Sequence, residues 1–234
     1  MKPVITQTGM KPRSSLVEKI LLACGILAAL LYIIANIVVP IMYKGYHVAS
    51  QTVSELSAID TPTRSLWIAL MIPYSLFVVA FGIGVLRISS GNKKLRIAGI
   101  FFILQAAIGF FWPPMHQREV IAAGGGTLTD TLHIVWTAIT VPLMMLSIGF
   151  AGFAFRKPFR IYSLLTIVIM IVGGAMTGIY SPDMEANLPT PWIGIWERIG
   201  IAPNMIWLIV FAILLLNKKQ NVAATGVETT SLAA

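Results

Sequence analysis

The sequence predicts an all-α polytopic membrane protein, a bundle of six transmembrane helices with both termini in the cytoplasm. Three observations point to this fold class. The chain is 57% hydrophobic and only 11% charged, whereas soluble domains have about 25% charged residues. It contains six apolar runs, each long enough to cross a hydrocarbon core of about 30 Å as a helix. The basic residues that flank these runs lie mainly on one side.

The six runs are continuous rather than alternating, which favours helices over the strands of a membrane barrel. They predict one transmembrane domain, residues 20–217, between a cytoplasmic N-terminal segment, residues 1–19, and a disordered cytoplasmic tail, residues 218–234. Gly174 and Gly178 have the G-x-x-x-G spacing that favours a close helix–helix contact. The predicted spans are Ile20–Met42, Leu66–Leu86, Ile97–Met115, Leu132–Phe155, Ile161–Tyr180 and Glu197–Leu216.

Charge placement predicts the orientation. Most of the 17 Lys and Arg residues lie before the first span, between the second and third, between the fourth and fifth, and after the sixth. Most of the nine acidic residues lie in the other connections. The positive-inside rule therefore places both termini in the cytoplasm. The net charge of +8 favours membrane lipids as partners, and no nucleic acid is expected because the basic residues form four separate patches.

Four stretches set among the spans together resemble one family. They are "GYHVASQTVSELSAIDTPTRSLW", "FWPPMHQRE", "TDTLHIVW" and "WERIGIAPNMIWLIV". In this order and spacing they resemble the bacterial membrane proteins grouped as domain-of-unknown-function family 998, over nearly the whole chain from the first span to the sixth. The resemblance implies a six-helix, multi-pass protein of the bacterial cell (inner) membrane with no agreed reaction.

The segment from Lys44 to Trp67 joins the first two spans on the predicted outer side and is densely polar. Val53, Leu56 and Ile59 recur in it at three-residue spacing, which is typical of a short helix lying on a membrane surface. We therefore expect the segment to fold back over the outer mouth of the bundle. Such a fold would enclose a polar pocket with an apolar floor, the usual form of a site for a lipid or small-molecule ligand.

Seven polar residues predicted on the outer side form the candidate catalytic set of this pocket. Serine, histidine and carboxylate side chains are the usual nucleophiles, bases and acids of hydrolysis. A similar collection resembles the histidine, serine and aspartate residues of the alkaline ceramidase and adipoQ-receptor superfamily, although the paired histidines of its last span have no counterpart here; this collection is His47, Ser54, Glu55, His116, Asp130 and His133. The candidates are His47, Ser54, Glu55, Asp130, His133, Glu197 and Arg198.

All three histidines, His47, His116 and His133, fall on the predicted outer side. Three imidazoles, or two imidazoles and a carboxylate, would complete a catalytic zinc site with one open position for water. The compact H-E-x-x-H spacing of many zinc enzymes is absent. The alternative, in which these histidines cap helices or lie at the membrane interface, stays open at this point.

Glu197 and Arg198 lie side by side at the outer end of the sixth predicted span, between apolar residues. Ionisable groups at membrane depth usually pair or face a cavity, and adjacent residues of a helix point in different directions. We therefore expect partners from other spans, with a histidine for Glu197. Arg118, in contrast, is expected to be solvated. The expected partner of Arg198 is an acidic residue, Asp60, Glu55 or Asp183.

Three classes of function remain. The first is a membrane-embedded hydrolase that acts on a lipid or an amide at the outward-facing pocket. The second is a small transporter or lipid-binding protein, and the third is a sensor or assembly partner without catalysis. The predicted spans carry almost no ionisable residue below the outer interface, and ion-coupled carriers usually need one. The sequence therefore favours the outward-facing site.

The charge pattern yields a topological prediction. A reporter fused after Lys219 should be active only in the cytoplasm, and one inserted into the glycine run at residues 124–126 only outside, because the basic patches stay inside. Paired alkaline phosphatase and fluorescent-protein fusions measure this directly. A cytoplasmic signal from the glycine run would reverse the orientation.

Overall fold

The computed structural model describes residues 16–231 of the chain, and the side chains of residues 16–217. Within this range the protein is helical and contains no strand. A 3₁₀ helix, Ser54–Ser57, precedes α2, and a π-helical turn, Ile121–Gly125, follows α4. The α-helices are α1 (Leu16–Met42), α2 (Arg64–Ile88), α3 (Lys93–Gly109), α4 (Arg118–Val120), α5 (Leu128–Phe153), α6 (Lys157–Ile179), α7 (Ser181–Glu185) and α8 (Ile193–Ser231).

The six long helices pack in a ring that follows their order along the chain. Helix α1 packs on α2, α2 on α3, α3 on α5, α5 on α6 and α6 on α8. Helix α8 then packs back on α1 and closes the ring. The first and the last long helix are therefore neighbours.

Aromatic side chains fill the interior of the ring. Phe81 of α2, Phe102 of α3, and Trp207 and Phe211 of α8 are fully buried. Phe81 meets Phe102 edge-on with ring centroids 5.1 Å apart, and Phe211 lies 4.8 Å from Trp207. The Trp207 indole N–H donates to the Ser163 hydroxyl over 2.9 Å, so the one polar atom of this aromatic stack has a partner.

Five helices are long and apolar enough to cross a membrane: α1, α2, α5, α6 and the part of α8 from Ile193 to Asn217. Helix α3 has 17 residues and is therefore about 25 Å long. It begins earlier than the predicted third span, at Lys93, where the Asn92 side chain accepts a hydrogen bond from the Leu95 amide over 3.1 Å. It ends at Gly109, ahead of two consecutive prolines that cannot continue a helix.

The ends of the predicted domain lie partly beyond the described residues. The predicted N-terminal segment is described only from residue 16, and residues 232–234 of the predicted tail lie outside the description. The predicted start of the tail at residue 218 falls inside α8, which runs to Ser231.

The backbones of α6 and α8 approach each other closely at Gly173, whereas an added side chain at the predicted glycine pair would point into open space. A Cβ added to Gly173 would lie 2.6 Å from the Gly200 Cα and 2.8 Å from the Trp196 carbonyl oxygen. At Gly174 and Gly178 an added Cβ would meet nothing within 4 Å. The G-x-x-x-G prediction was therefore wrong, because these two glycines face away from the neighbouring helix.

Replacing Gly173 should therefore destabilise the protein far more than replacing Gly174. Gly173→Ala forces two backbones apart, and overpacking costs about 1–3 kcal/mol. Gly174→Ala adds a methyl group in open space and improves helix propensity by up to about 1 kcal/mol. Thermal unfolding of both purified variants in detergent measures the difference. Equal unfolding temperatures would contradict the close contact of α6 with α8.

Candidate functional site

The connection between α1 and α2, residues 43–63, folds back onto the helix ends and is called the cap segment below. Val53 and Leu56 are 3% and 0% exposed and pack against side chains of α1 and α2. Ile59 is half-buried. The predicted fold-back of this segment is confirmed, and its helical part is the single 3₁₀ turn Ser54–Ser57.

A buried ion pair joins the cap segment to the chain beyond α3. Glu55 is 3% exposed and Arg118 is 7% exposed. The Arg118 Nε donates to Glu55 Oε1 over 2.7 Å, and Nη2 donates to Oε2 over 2.7 Å, which is the strong bidentate geometry. Thr52 adds its backbone N–H at 2.6 Å and its hydroxyl at 3.0 Å to Oε2. The expectation that Arg118 is solvated was wrong, since the cap segment covers it.

Arg118 also binds a third connection, through Thr190, and a further group of the cap segment. Its Nη1 donates to the Thr190 hydroxyl over 2.9 Å, and Nη2 donates to the Ser50 carbonyl over 3.1 Å. The Thr190 hydroxyl donates in turn to the same Ser50 carbonyl over 2.9 Å. Burial opposes the charge of Arg118, but the hydrogen bonds and negative charge of Glu55 outweigh it and raise the pKa of Arg118. One charged guanidinium thus holds three connections together.

Arg198 of α8 binds backbone carbonyls rather than a carboxylate. Its Nη1 donates to the carbonyls of Val48 over 2.9 Å and Gln51 over 3.3 Å. Its Nη2 donates to the Tyr46 hydroxyl over 2.8 Å. Among the described residues no acidic side chain pairs with Arg198. The expected acidic partner was wrong, because the cap segment turns its carbonyl oxygens towards α8.

Glu197 accepts the backbone N–H of Val53 and also that of Ser54. These amides begin the 3₁₀ helix and have no partner within it, so the carboxylate caps that helix. In return the Ala49 carbonyl accepts the amides of Gly194 over 2.9 Å and Ile195 over 3.4 Å at the start of α8. The expected histidine partner of Glu197 was wrong, since backbone amides take both of its described hydrogen bonds.

Ser54 and His133 lie in hydrogen-bond contact, although 79 positions separate them along the chain. The Ser54 Oγ is 3.2 Å from the His133 Nε2. On the other side of the ring, Nδ1 lies 2.8 Å from the Pro113 carbonyl oxygen and 3.0 Å from the Trp112 indole nitrogen. His133 is 7% exposed, and Ser54 is half-buried.

The two neighbours of the His133 Nδ1 require opposite protonation states. The Trp112 indole only donates, so its bond needs an unprotonated Nδ1, which leaves the proton on Nε2. The Pro113 carbonyl only accepts, so its bond needs the proton on Nδ1 and leaves Nε2 free to accept from the Ser54 hydroxyl. The surroundings of His133 therefore accommodate both neutral tautomers.

Asp130 binds His116 and the start of its own helix. The Asp130 carboxylate accepts the Thr127 amide over 2.7 Å and forms the capping box that begins α5. It also accepts the His116 backbone N–H over 2.6 Å and lies 3.0 Å from the His116 Nδ1. This second contact ties the chain before α4 to α5.

His47 stands apart from the other histidines. Its side chain is exposed, and its backbone N–H donates to the Gln51 side chain over 2.8 Å. The described part of the chain contains no group of three or more His, Cys, Asp or Glu side chains that could hold a metal ion. The structure therefore does not gather the predicted zinc ligands, His47, His116 and His133.

Several residues of this region were not among the sequence candidates. Arg118 and Thr190 complete the buried ion pair, and Trp112 and Pro113 surround the His133 ring. The sequence shows an Arg in "HQRE" and aromatics in "FWPP", but such residues are also typical of solvated loops and interfacial belts. No local signal links them to partners so far away in the chain.

Comparison with known proteins identifies one family. The family model described as "Protein of unknown function (DUF998)" matches residues 26–214, which include all of the contacts described above. Neither the curated proteins nor the solved structures contain a match.

The buried ion pair predicts a large, reciprocal loss of stability. Glu55→Ala and Arg118→Ala should each cost about 3–5 kcal/mol, because each leaves a buried charge without its partner. Lys44→Ala, at an exposed position of the same segment, should cost no more than about 0.5 kcal/mol. Unfolding in detergent, followed by circular dichroism, measures all three.

A double variant isolates the pairing itself. Glu55→Leu combined with Arg118→Met should lose clearly less stability than the two single losses added together, since no lone charge remains. Additive losses in this pair, or an Arg118→Ala variant as stable as Lys44→Ala, would contradict the ion pair.

Proposed function

The chain belongs to the DUF998 family, whose function is unknown, and we propose that it is a membrane-embedded serine hydrolase acting on a lipid ester or amide. In this proposal Ser54 is the nucleophile and His133 is the general base. The observation that carries the proposal is the 3.2 Å contact between the Ser54 Oγ and the His133 Nε2. A serine and a histidine within hydrogen-bond reach, with the histidine oriented by a third group, form the core of nucleophilic hydrolysis.

The chemistry requires one of the two tautomers of His133. With its proton on Nδ1, donated to the Pro113 carbonyl, the ring accepts the Ser54 proton at Nε2 as Oγ attacks the substrate carbonyl carbon. The imidazolium then gives this proton to the departing alcohol or amine. Water hydrolyses the resulting acyl-serine in a second step with the same base.

The tetrahedral intermediate needs donors for its negative oxygen. The backbone amides of Val53 and Ser54, which bind the Glu197 carboxylate in this structure, could supply these donors. An oxyanion formed at Ser54 would replace Glu197 at these amides. In this role Glu197 holds the amides in position until substrate arrives, and Arg198 holds the surrounding carbonyls of the cap segment.

The surroundings of the pair favour a substrate with apolar chains. Phe111, beside Trp112, is 82% exposed, and Leu128, at the start of α5, is 70% exposed. Large exposed apolar side chains next to membrane-spanning helices face lipid rather than water. In this proposal the half-buried Ser54 reacts with the headgroup linkage of a lipid whose acyl chains lie along these apolar side chains.

The proposal includes a membrane arrangement. All six long helices cross the membrane, and α3 is the shortest of these spans. The cap segment lies on the outer side of a bacterial cell membrane. Five helices that satisfy the length and composition of a span support this arrangement, as does the one-sided placement of basic residues.

A second candidate function is transport or ligand sensing without catalysis. Two buried amide oxygens inside long helices, Asn36 Oδ1 and Gln105 Oε1, have no hydrogen-bond partner among the described residues. A buried acceptor is costly unless something donates to it, and a passing polar ligand would do so.

Labelling with a fluorophosphonate tests the hydrolase directly. This reagent phosphonylates a nucleophilic serine with loss of fluoride. The wild type should be labelled at Ser54, and Ser54→Ala should abolish the label. His133→Ala should slow labelling about 10²–10⁴-fold, the usual contribution of a general base. Intact-mass and peptide mass spectrometry provide the readout.

Ser65→Ala is the matched control, because Ser65 is an exposed serine at the same end of α2 as the cap segment. It should leave labelling unchanged. Labelling that survives in a folded Ser54→Ala variant, or an unlabelled wild type, would contradict the hydrolase and leave transport or sensing as the better reading.

A further inference from the structure

The opposite end of the bundle carries a basic cavity that the hydrolase does not use. We propose that the turn between α2 and α3 is a binding site for the phosphate of an anionic lipid headgroup. The cavity has a volume of about 590 Å³, within the range of small-ligand sites. Its lining includes Arg87, Ser89, Gly91, Asn92, Lys93 and Arg96.

Three cationic side chains line this cavity, and none of its described lining residues is acidic. Arg87 ends α2, while Lys93 and Arg96 lie in the first turns of α3. No carboxylate belongs to the cavity lining, and no ion pair with these three residues occurs within the described part of the chain. Like charges that line one cavity repel one another, and a bound anion would reduce that repulsion.

The backbone of the turn fixes the positions of these charges. Ser90 and Gly91 have positive φ angles of 35° and 81°, and they reverse the chain within four residues between the two helices. Asn92 then caps α3 through its side-chain oxygen. The N-terminus of α3 also carries partial positive charge, which favours an anion.

A lipid is the source of phosphate that the helix surfaces favour. Ile83 lies four positions before Arg87 on α2, and Ile100 lies four positions after Arg96 on α3, so each isoleucine shares a face with its arginine. Both are exposed, at 39% and 42%. Leu104, the next residue on that face of α3, is 43% exposed.

This apolar strip continues from the basic turn towards the middle of the bundle, where acyl chains would lie. Basic pockets between helices on the cytoplasmic side of membrane proteins bind anionic headgroups in this way. The inference does not depend on the hydrolase, because the two sites lie at opposite ends of the helices.

Native mass spectrometry of the full-length protein in detergent tests the site. Phosphatidylglycerol should bind at least about ten times more tightly than phosphatidylcholine. Arg87→Gln combined with Arg96→Gln should remove most of this preference. The matched control, Arg156→Gln combined with Lys157→Gln, removes the same charge from two exposed positions where the α5–α6 connection meets α6 and should keep the preference.

A further arm separates the two sources of phosphate. Inorganic phosphate at millimolar concentration should raise the unfolding temperature of the wild type less than phosphatidylglycerol does, and neither should stabilise the cavity variant. Stabilisation by inorganic phosphate alone, lost in the cavity variant, would keep the phosphate site but overturn the lipid. Equal binding of both lipids, or equal losses in the cavity and control variants, would overturn the site.

Discussion

Two opposite charges lie buried beneath the cap segment, and the arrangement of that end of the protein depends on them. Removing a carboxylate and a guanidinium from water costs several kcal/mol each unless their hydrogen bonds are replaced. Here Thr52, Thr190 and the Ser50 carbonyl replace them. Because these groups come from different connections, the pair of Glu55 and Arg118 is satisfied only when all the connections are in place.

The position of the candidate nucleophile follows from this pair. Ser54 directly precedes Glu55 in the 3₁₀ turn, so the contact that fixes Glu55 also fixes the direction of the Ser54 side chain towards His133. On the other flank, Glu197 holds the amides of the same turn. The ion-paired Glu55 and the proposed nucleophile Ser54 therefore share one short turn.

Much of the fold was predictable because membrane helices follow from local composition. Apolar runs indicate helices that can span a membrane, and the spacing of Val53 and Leu56 indicates the buried face of the cap segment; the structure agrees with both expectations. The failures concern pairing. Arg118 looks solvated in sequence because its partner lies 63 residues earlier, and Arg198 binds carbonyls that any residue type would provide. Partners that are backbone groups cannot be predicted from residue types, because every residue has a backbone carbonyl.

The ring of helices closes between α1 and α8, and this has a consequence for how the chain matures. During synthesis the N-terminal part emerges first, so the cap segment exists well before the residues that secure it. Three of its hydrogen bonds need partners that are made later: the Ala49 carbonyl binds amides of α8, the Val53 amide binds Glu197, and the Ser50 carbonyl binds the Thr190 hydroxyl. Until the chain from Thr190 onward is made, these contacts of the cap segment have no partners, although its packing on α1 and α2 and its ion pair with Arg118 can already form. The hydrogen bonds of the cap segment are thus complete only after α8 has been made.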